Sequence, residues 1–317
     1  METYFDLMSM NGGVYVFQTA RKMGILEQFQ KGALTGEEIS ENLGFKLRPV
    51  KLVLEALLAL NLLTYEDEKY QATSVLSFLQ GNYRNLSADY WEHLPTLLQT
   101  GTPYKKMDNE ANSEDEYKVQ VKALEWMMKP SAVMAAKLLG LGSERKNCHI
   151  IDFGAGSAVW SLSMLQEDPS SRVDALDWPA VLKVAMAAAA EAGLSHRVTA
   201  LEGNFFDTPI KDAQYDLAIV ANVTHILTPE KNIALFKKIK KCLRETGEIV
   251  IIDVFPGQDK GELPAALYAL GLGIRTEDGT VFTPEQLTGF LKEAGYTDFN
   301  VEPLEISPYT MGMLTAK

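Results

Sequence analysis

Cysteine is almost missing from this chain. Cys148 and Cys242 stand alone, each at a position expected to be buried, and two isolated thiols build neither a disulfide framework nor a thiolate metal site. Histidine is scarce as well: His93, His149, His196 and His225 offer no pair at metal-ligand spacing, so no metal is expected. No apolar run reaches the roughly twenty residues that a bilayer-spanning helix needs. The first residues, Met1-Glu2-Thr3-Tyr4-Phe5-Asp6, lack the basic start and apolar stretch of a signal peptide, so a cytoplasmic protein with reduced thiols is expected. Basic residues are outnumbered 30 to 42, and the net charge of −12 argues against nucleic acid or an anionic membrane as partner.

What remains is ordinary globular composition, 46% hydrophobic in 317 residues, enough for two domains with their own cores. Residues 1–105 read as helical. An amphipathic segment opens at residues 20–29. Thr35 and Glu38 have the spacing of a capping box. Val50, Val53, Leu54, Leu57 and Leu58 share one face of a helix over 48–60. Residues 62–73 look like a hairpin with the charged tip Glu66-Asp67-Glu68-Lys69. Helices plus a hairpin suggest a winged helix. Charge tests the DNA-binding version of that fold: residues 1–105 hold nine Lys or Arg against twelve Asp or Glu. Lys46, Arg48 and Lys51, opposed by Glu55, are too few for phosphate neutralisation. A packing and dimerisation module is the expectation.

From about residue 146 the pattern alternates. Strands are expected at 148–153, 172–176, 197–202, 215–221 and 248–254, with helices at 159–166, 178–193 and 230–244 between them. Alternation of this kind makes a parallel sheet wrapped by helices. At the end, segments 299–305 and 310–316 flank a short Ser-Pro loop and read as an antiparallel hairpin at one sheet edge. Residues 99–103 form a turn, the acidic stretch 108–116 reads as a surface loop, and a helix over 117–141 bridges into the second domain. The domains are expected at 1–105 and 106–317.

The chemistry begins at His149-Ile150-Ile151-Asp152-Phe153, a buried-strand pattern that breaks at Gly154-Ala155-Gly156-Ser157-Ala158 into a helix. Strand, glycine turn and helix together present free N–H groups and a positive helix end to a ligand above the sheet. The pattern is Asp-x-Gly-x-Gly rather than the three-glycine dinucleotide fingerprint. Asp177, ending the next strand, is placed to accept both hydroxyls of a ribose, or else caps the helix that starts near Pro179. Asn204 and Phe205 after the third strand suit an adenine amino group and ring face, or an ordinary polar turn with a core aromatic. His225 follows Ala221-Asn222-Val223-Thr224 at the end of the fourth strand, where open α/β sheets hold ligands. There it is either a general base or a structural residue. Asp253, ending the fifth strand, either orients His225, bonds a substrate hydroxyl or satisfies loop N–H groups.

Assembled in order, these blocks resemble S-adenosylmethionine-dependent methyltransferases, and within them the dimeric small-molecule O-methyltransferases of hydroxyindole, plant phenolic and bacterial natural-product type. Residues 20–26, 34–39 and 57–63 carry the likeness in the first domain. Asp152–Gly156, Asp177-Trp178-Pro179, Gly203–Phe206, Tyr215-Asp216-Leu217, His225, 243–248 and Ile252-Asp253 carry it in the second. The resemblance implies an α/β fold: a Rossmann-like sheet of seven strands, parallel except for one antiparallel strand in the edge hairpin, plus the mainly helical winged-helix domain. It implies S-adenosyl-L-methionine as cofactor, held by Asp152, Gly154, Gly156, Asp177, Trp178, Asn204, Phe205 and Asn222. His225 would take the proton of a small, aromatic or polyketide-like hydroxyl, with Met127 and Met128 lining the substrate pocket between 117–141 and 257–282. It further implies a homodimer in which Tyr4, Phe5 or Met8 of the first helix reaches the other subunit's site. Ala158 stands where the family has glycine, Asn204 where it often has aspartate, and Ile226 where plant relatives have an acid; residues 279–282 lack their glutamate. Asp253 is then the acid available to orient His225. Methylation of nitrogen or carbon is the rival within the same architecture, as is a non-methylating use of the pocket. A winged-helix regulator with a degenerate cofactor domain is a rival of a different class. A dehydrogenase is disfavoured by the missing third glycine and the closing hairpin.

Overall fold

The computed structural model describes residues 2–74, 76, 84–256, 263–304 and 311–317. Two compact units divide the chain, Met1–Ser87 and Ala88–Lys317, whereas the sequence pattern set the division at 105.

The first unit opens with helix α1 (Glu2–Lys22), a full 21 residues and longer than the segment at 20–29 suggested. That segment is its last turn, followed by a break at Gly24 in the left-handed region and the single turn α2 (Ile25–Gln28). Periodicity missed α1 because its N-terminal side chains Tyr4, Phe5, Leu7, Met8 and Tyr15 are apolar yet exposed. Helix α3 (Gly36–Leu43) starts at the expected capping box: the Thr35 N–H donates to Glu38 Oε2 at 2.7 Å and the Glu38 N–H to Thr35 Oγ1 at 3.1 Å. Helix α4 (Leu47–Ala59) buries Val50, Leu54 and Leu57 against Phe17, Leu26 and Ile39 in one core. The hairpin is β1 (Leu63–Glu66) and β2 (Lys69–Ala72), with Asp67 and Glu68 both at positive φ, as a two-residue turn of this twist requires. Tyr70 anchors it by donating to Glu55 Oε1 at 2.7 Å.

The second unit begins with the short helices α5 (Ala88–Glu92) and α6 (Leu94–Thr100), and His93 sits between them with a ring nitrogen 2.9 Å from the Thr102 carbonyl. Helix α7 spans Glu110–Leu138. The acidic stretch expected as a loop at 108–116 is therefore mostly its first two turns. Acidic residues suit helix N-termini in general, so an acidic segment signals a helix start as readily as a loop. The strands follow as β3 (His149–Phe153), β4 (Arg172–Asp177), β5 (Val198–Glu202), β6 (Tyr215–Ala221) and β7 (Leu243–Val254), with helices α8 (Val159–Glu167), α9 (Pro179–Glu191) and α10 (Pro229–Cys242) between them. Helices α11 (Leu263–Arg275) and α12 (Pro284–Glu293) precede β8 (Asn300–Leu304) and β9 (Met311–Ala316). Sheet order is β5-β4-β3-β6-β7-β9-β8. Five strands are parallel, and β9 runs antiparallel between β7 and β8, so the terminal hairpin closes the edge by inserting its last strand. The loop expected between the hairpin strands lies outside the described residues. Strand β7 starts earlier than expected, and its register against β6 shifts between Tyr215 and Leu217.

The central parallel strands β3 and β6 are buried on both faces, which is why they read as apolar runs, whereas the edge strand β5 is largely exposed. One group of polar exceptions lies away from the C-terminal strand ends. Asp174 accepts from the Tyr215 hydroxyl at 2.7 Å and lies 3.1 Å from His149 Nε2, all three buried. Both cysteines are buried and unpaired, and burial pushes the Cys242 thiol up to about 12. No described helix is long and apolar enough to cross a membrane.

Tyr215→Phe removes the donor while leaving Asp174 buried, so stability should fall by roughly 1–3 kcal/mol. A lower urea midpoint at unchanged slope would register it.

Candidate active site

Parallel strands place every C-terminal end at one edge, and the second unit carries there a cleft of about 1080 Å³ measured to its open mouth. The β3–α8 corner forms its floor. Gly154, Gly156 and Ala158 all turn left-handed, at φ 70°, 58° and 59°. A Cβ on Gly154 would lie 2.7 Å from Val223 Cγ2, and one on Gly156 would lie 3.3 Å from Val121 Cγ1. Only glycine gives both the turn and the clearance at Gly154. Ala158 manages the conformation with a small, buried side chain.

Asp177, at the end of β4, holds this corner. Its Oδ2 accepts from the Gly156 N–H at 2.8 Å and its Oδ1 from the Trp178 N–H at 2.7 Å. Asp177 does not cap α9; the Ala180 N–H there goes to Glu114 of α7 at 2.7 Å. Burial pushes the Asp177 carboxyl up to about 6, partly offset by those two N–H bonds. Each oxygen keeps a lone pair for a further donor.

Trp178, Asn204, Phe205 and Asn222 also line the cleft. The Asn204 side-chain oxygen accepts from the Phe206 N–H at 2.9 Å, so the turn and the cleft wall are one feature. Lys238 of α10 clamps that loop, donating to the Phe206 carbonyl at 2.8 Å and the Thr208 carbonyl at 2.7 Å. Asp152 is apart from this group. It is fully buried in β3 and absent from the cleft wall, and its Oδ2 has no hydrogen-bond partner among the described residues. Burial pushes its carboxyl up to about 7. Of the two methionines, Met128 lines the cleft, while Met127 packs on the core beneath α7. Tyr4 and Met8 are exposed on α1 in the other unit.

His225 sits in a short 3₁₀ turn after β6, buried. Its Nδ1 lies 2.6 Å from Asp253 Oδ1, and that carboxylate also accepts from the Val254 N–H at 2.8 Å and the Thr224 hydroxyl at 2.5 Å. The alignment of Ala221 with Ile252 between β6 and β7 brings the two strand ends together. The turn is braced from below by Asn232, fully buried, whose Nδ2 donates to the Thr224 carbonyl at 2.9 Å and the Leu227 carbonyl at 3.2 Å. From the other side, the Thr280 N–H donates to the His225 carbonyl at 2.8 Å. Tyr268 of α11 brings its hydroxyl to 3.5 Å from His225 Nε2. Sequence reasoning missed Asn232, Lys238, Glu114 and Tyr268. Only the approach of separate elements reveals them. Among the described residues no group of three or more acids, cysteines or histidines is arranged to hold a metal ion.

An acid tied to a glycine corner, an amide and aromatic wall, and a histidine–carboxylate pair can together hold a nucleoside and move a proton. Residues 91–297 match the O-methyltransferase domain family. The chain belongs to that family and is a methyltransferase. The chain is similar to 3-hydroxy-5-methyl-1-naphthoate 3-O-methyltransferase of Streptomyces sahachiroi, 24% identical over 92% of this chain and 89% of the relative. It is also similar to L-tyrosine C(3)-methyltransferase of Streptomyces lavendulae, 24% identical over 88% of this chain and 82% of that relative. The fold is shared with human N-acetylserotonin methyltransferase, solved in complex with SAM, at a TM-score of 0.78 and 21% identity over 100% of this chain and 98% of that one.

The buried acid Asp152 sets a pH test. An unfolded aspartate titrates near 3.9, so a folded value of about 7 means that stability is complete below about pH 4 and declines as pH rises through 7. Asp152→Asn should lose less stability than the parent between pH 5 and pH 8, by on the order of 2 kcal/mol, in paired denaturant titrations.

Proposed function

We propose that this chain transfers the methyl group of S-adenosyl-L-methionine to a hydroxyl of a small aromatic or polyketide-like molecule, with His225 as general base. The observation that carries this reading is the 2.6 Å bond between His225 Nδ1 and Asp253 at the end of the same sheet edge that carries the glycine corner. Because the Asp253 carboxylate accepts from every neighbour, Nδ1 carries the ring proton and Nε2 keeps its lone pair, the state a base needs.

The cofactor is S-adenosyl-L-methionine, and the cleft fits it on three counts. The glycines leave backbone exposed where a side chain would fill the space, Asp177 has lone pairs for the ribose hydroxyls, and Asn204 with Phe205 suits the adenine. Gly154 and Gly156 would hold its methionyl part, and Trp178 and Asn222 would complete the wall. The bound cofactor supplies a sulfonium methyl already activated for attack. The protein contributes alignment, exclusion of water and one proton acceptor. His225 Nε2 takes the proton from the hydroxyl as its oxygen attacks, and Asp253 holds the imidazolium that results. Met128 borders the acceptor space. Part of the segment expected to face it, residues 257–262, lies outside the described residues.

We read the first unit as the dimerisation module of a cytoplasmic homodimer, with the exposed Tyr4, Phe5 and Met8 of α1 turned to the partner subunit. Methylation of carbon has one specific support, the Streptomyces lavendulae relative at the same identity. A base that deprotonates a phenol serves ring carbon as well as oxygen, so NMR of the methylated product separates the two.

With isotopically labelled cofactor, His225→Ala and Asp253→Asn should each lower turnover by about 10²-fold or more while S-adenosyl-L-homocysteine still binds. Undiminished turnover in His225→Ala would sink general-base catalysis. Asp177→Ala should do the opposite, weakening S-adenosyl-L-homocysteine binding first. The ionised carboxylate is the better acceptor, so affinity should fall as pH drops through about 6, and Asp177→Asn should flatten that dependence in calorimetric titrations.

A further inference from the structure

The second half of α10 carries Lys237, Lys238, Lys240 and Lys241, which along the sequence read as one solvated charge run. Lys237 is exposed, 4.0 Å from Glu293, and Lys240 sits 4.5 Å over the Tyr296 ring. Lys238 is different. Half-buried, it donates to the Phe206 carbonyl at 2.8 Å and the Thr208 carbonyl at 2.7 Å. It does not itself line the cleft, whereas Asn204, Phe205 and Phe206 of the loop it holds do.

That loop is a single helix-like turn. The Asn204 carbonyl accepts from the Asp207 N–H at 3.0 Å, the Thr208 N–H at 2.9 Å and the Thr208 hydroxyl at 2.8 Å. The Asn204 side-chain oxygen caps its start through the Phe206 N–H. Gly203 leads in at φ 138°, where a Cβ would lie 2.5 Å from Thr208 Oγ1. So short a turn has no following residues to satisfy its last carbonyls, which form the negative end of its dipole. The Lys238 ammonium supplies both the donors and the charge. The same helix carries Asn232, which braces the His225 turn, six residues or about 9 Å of axis away. One rigid element therefore spaces this loop from the histidine.

We propose that Lys238 is a positioning residue for the cofactor: it fixes the turn at 204–208 so that Asn204 and Phe205 meet the purine, and the preference for a 6-amino over a 6-oxo purine depends on it. This rests on the assignment of Asn204 and Phe205 to adenine above. Either purine offers a ring face to Phe205. Only the 6-amino group is a donor to the remaining lone pair of the Asn204 oxygen; a 6-oxo group sets an acceptor against it. Without the ammonium the turn is free to shift. A hydrogen bond weakens steeply with distance and angle, whereas contact between ring faces tolerates a range of offsets. Loss of Lys238 therefore costs the amino contact more than the stacking.

Lys238→Met keeps an unbranched apolar stem and removes the donors. Calorimetric titration with S-adenosyl-L-homocysteine and S-inosyl-L-homocysteine reads its effect, and Lys237→Met controls for the loss of one positive charge from the same helix. The parent should bind the adenosyl ligand about tenfold tighter than the inosyl one. Lys238→Met should lose about tenfold on the adenosyl ligand and about threefold or less on the inosyl one, so the ratio narrows, while Lys237→Met keeps both parental affinities. Lys238→Gln, with a donor on a shorter stem, should fall between parent and Lys238→Met, and it carries the test if Lys238→Met does not fold. An unchanged ratio in the Lys238 variants, whether the two affinities hold or fall together, would overturn the role of Lys238 and leave the adenine assignment standing. A parent that binds both ligands equally would overturn the adenine assignment of Asn204 and this role with it.

Discussion

The corner after β3 is held by β4, and the cleft depends on that tie. The Gly154 and Ala155 N–H groups both reach the Leu176 carbonyl, at 2.9 and 3.2 Å, and the Gly156 N–H reaches the Asp177 carboxylate. Within the corner the Ala158 N–H finds the Ala155 carbonyl at 2.7 Å, and the N–H groups of Gly154, Ala155 and Gly156 are accepted by the neighbouring strand end. Asp177 is thereby structural before any ligand arrives. Its two readings from sequence, a ligand acid or a local cap, resolve into a ligand candidate that braces the loop facing it. Behind the same corner Asp152 is fully buried in β3, with Oδ2 unpartnered among the described residues, and burial raises the pKa of both acids.

What was legible in the sequence was whatever a short stretch specifies by itself. The buried strands, the capping box at Thr35, the Asp67-Glu68 turn and the glycine corner each carry their own local signal, and each formed at its expected place within a few residues. Helix α1 was misread because periodicity assumes that apolar side chains face inward, and its N-terminal half leaves them exposed. The start of α7 was misread because acidic residues suit both loops and helix N-termini.

The site was half legible for a different reason. Residues at the C-terminal strand ends follow from topology, so Asp177, Asn204 and Asn222 in the cleft wall, and the buried His225 and Asp253 beside it, could be found. The choice among three roles for Asp253 needed the β6–β7 alignment, which no sequence period encodes. Asn232, Lys238 and Tyr268 come from helices packed against those ends, and as isolated polar residues on amphipathic helices they look like any others. Asp152 is the instructive inversion. Its place in the motif suggests contact with a ligand, yet strand geometry turns it under the corner, where it supports rather than lines the cleft.

Charge gives the arrangement a direction. The methyl donor carries a positive sulfonium and leaves as a neutral thioether, so the acidic protein attracts the reactant cofactor over its product. Under the proposed O-methylation, the charge lost at sulfur would match the proton gained at His225, and net charge within the site would be conserved when the acceptor is a neutral phenol. In that proposal the cation is on the cofactor before transfer and is the imidazolium against Asp253 afterwards. The carboxylate at 2.6 Å would then stabilise a charge that appears only as the reaction proceeds, an interaction stronger in the transition state than in the ground state. Orientation of the base and stabilisation of its charged form are one contact. Any substitution at Asp253 removes both together, which is why the buried bonds from Thr224 and Val254 that keep this carboxylate in place matter as much as the histidine itself.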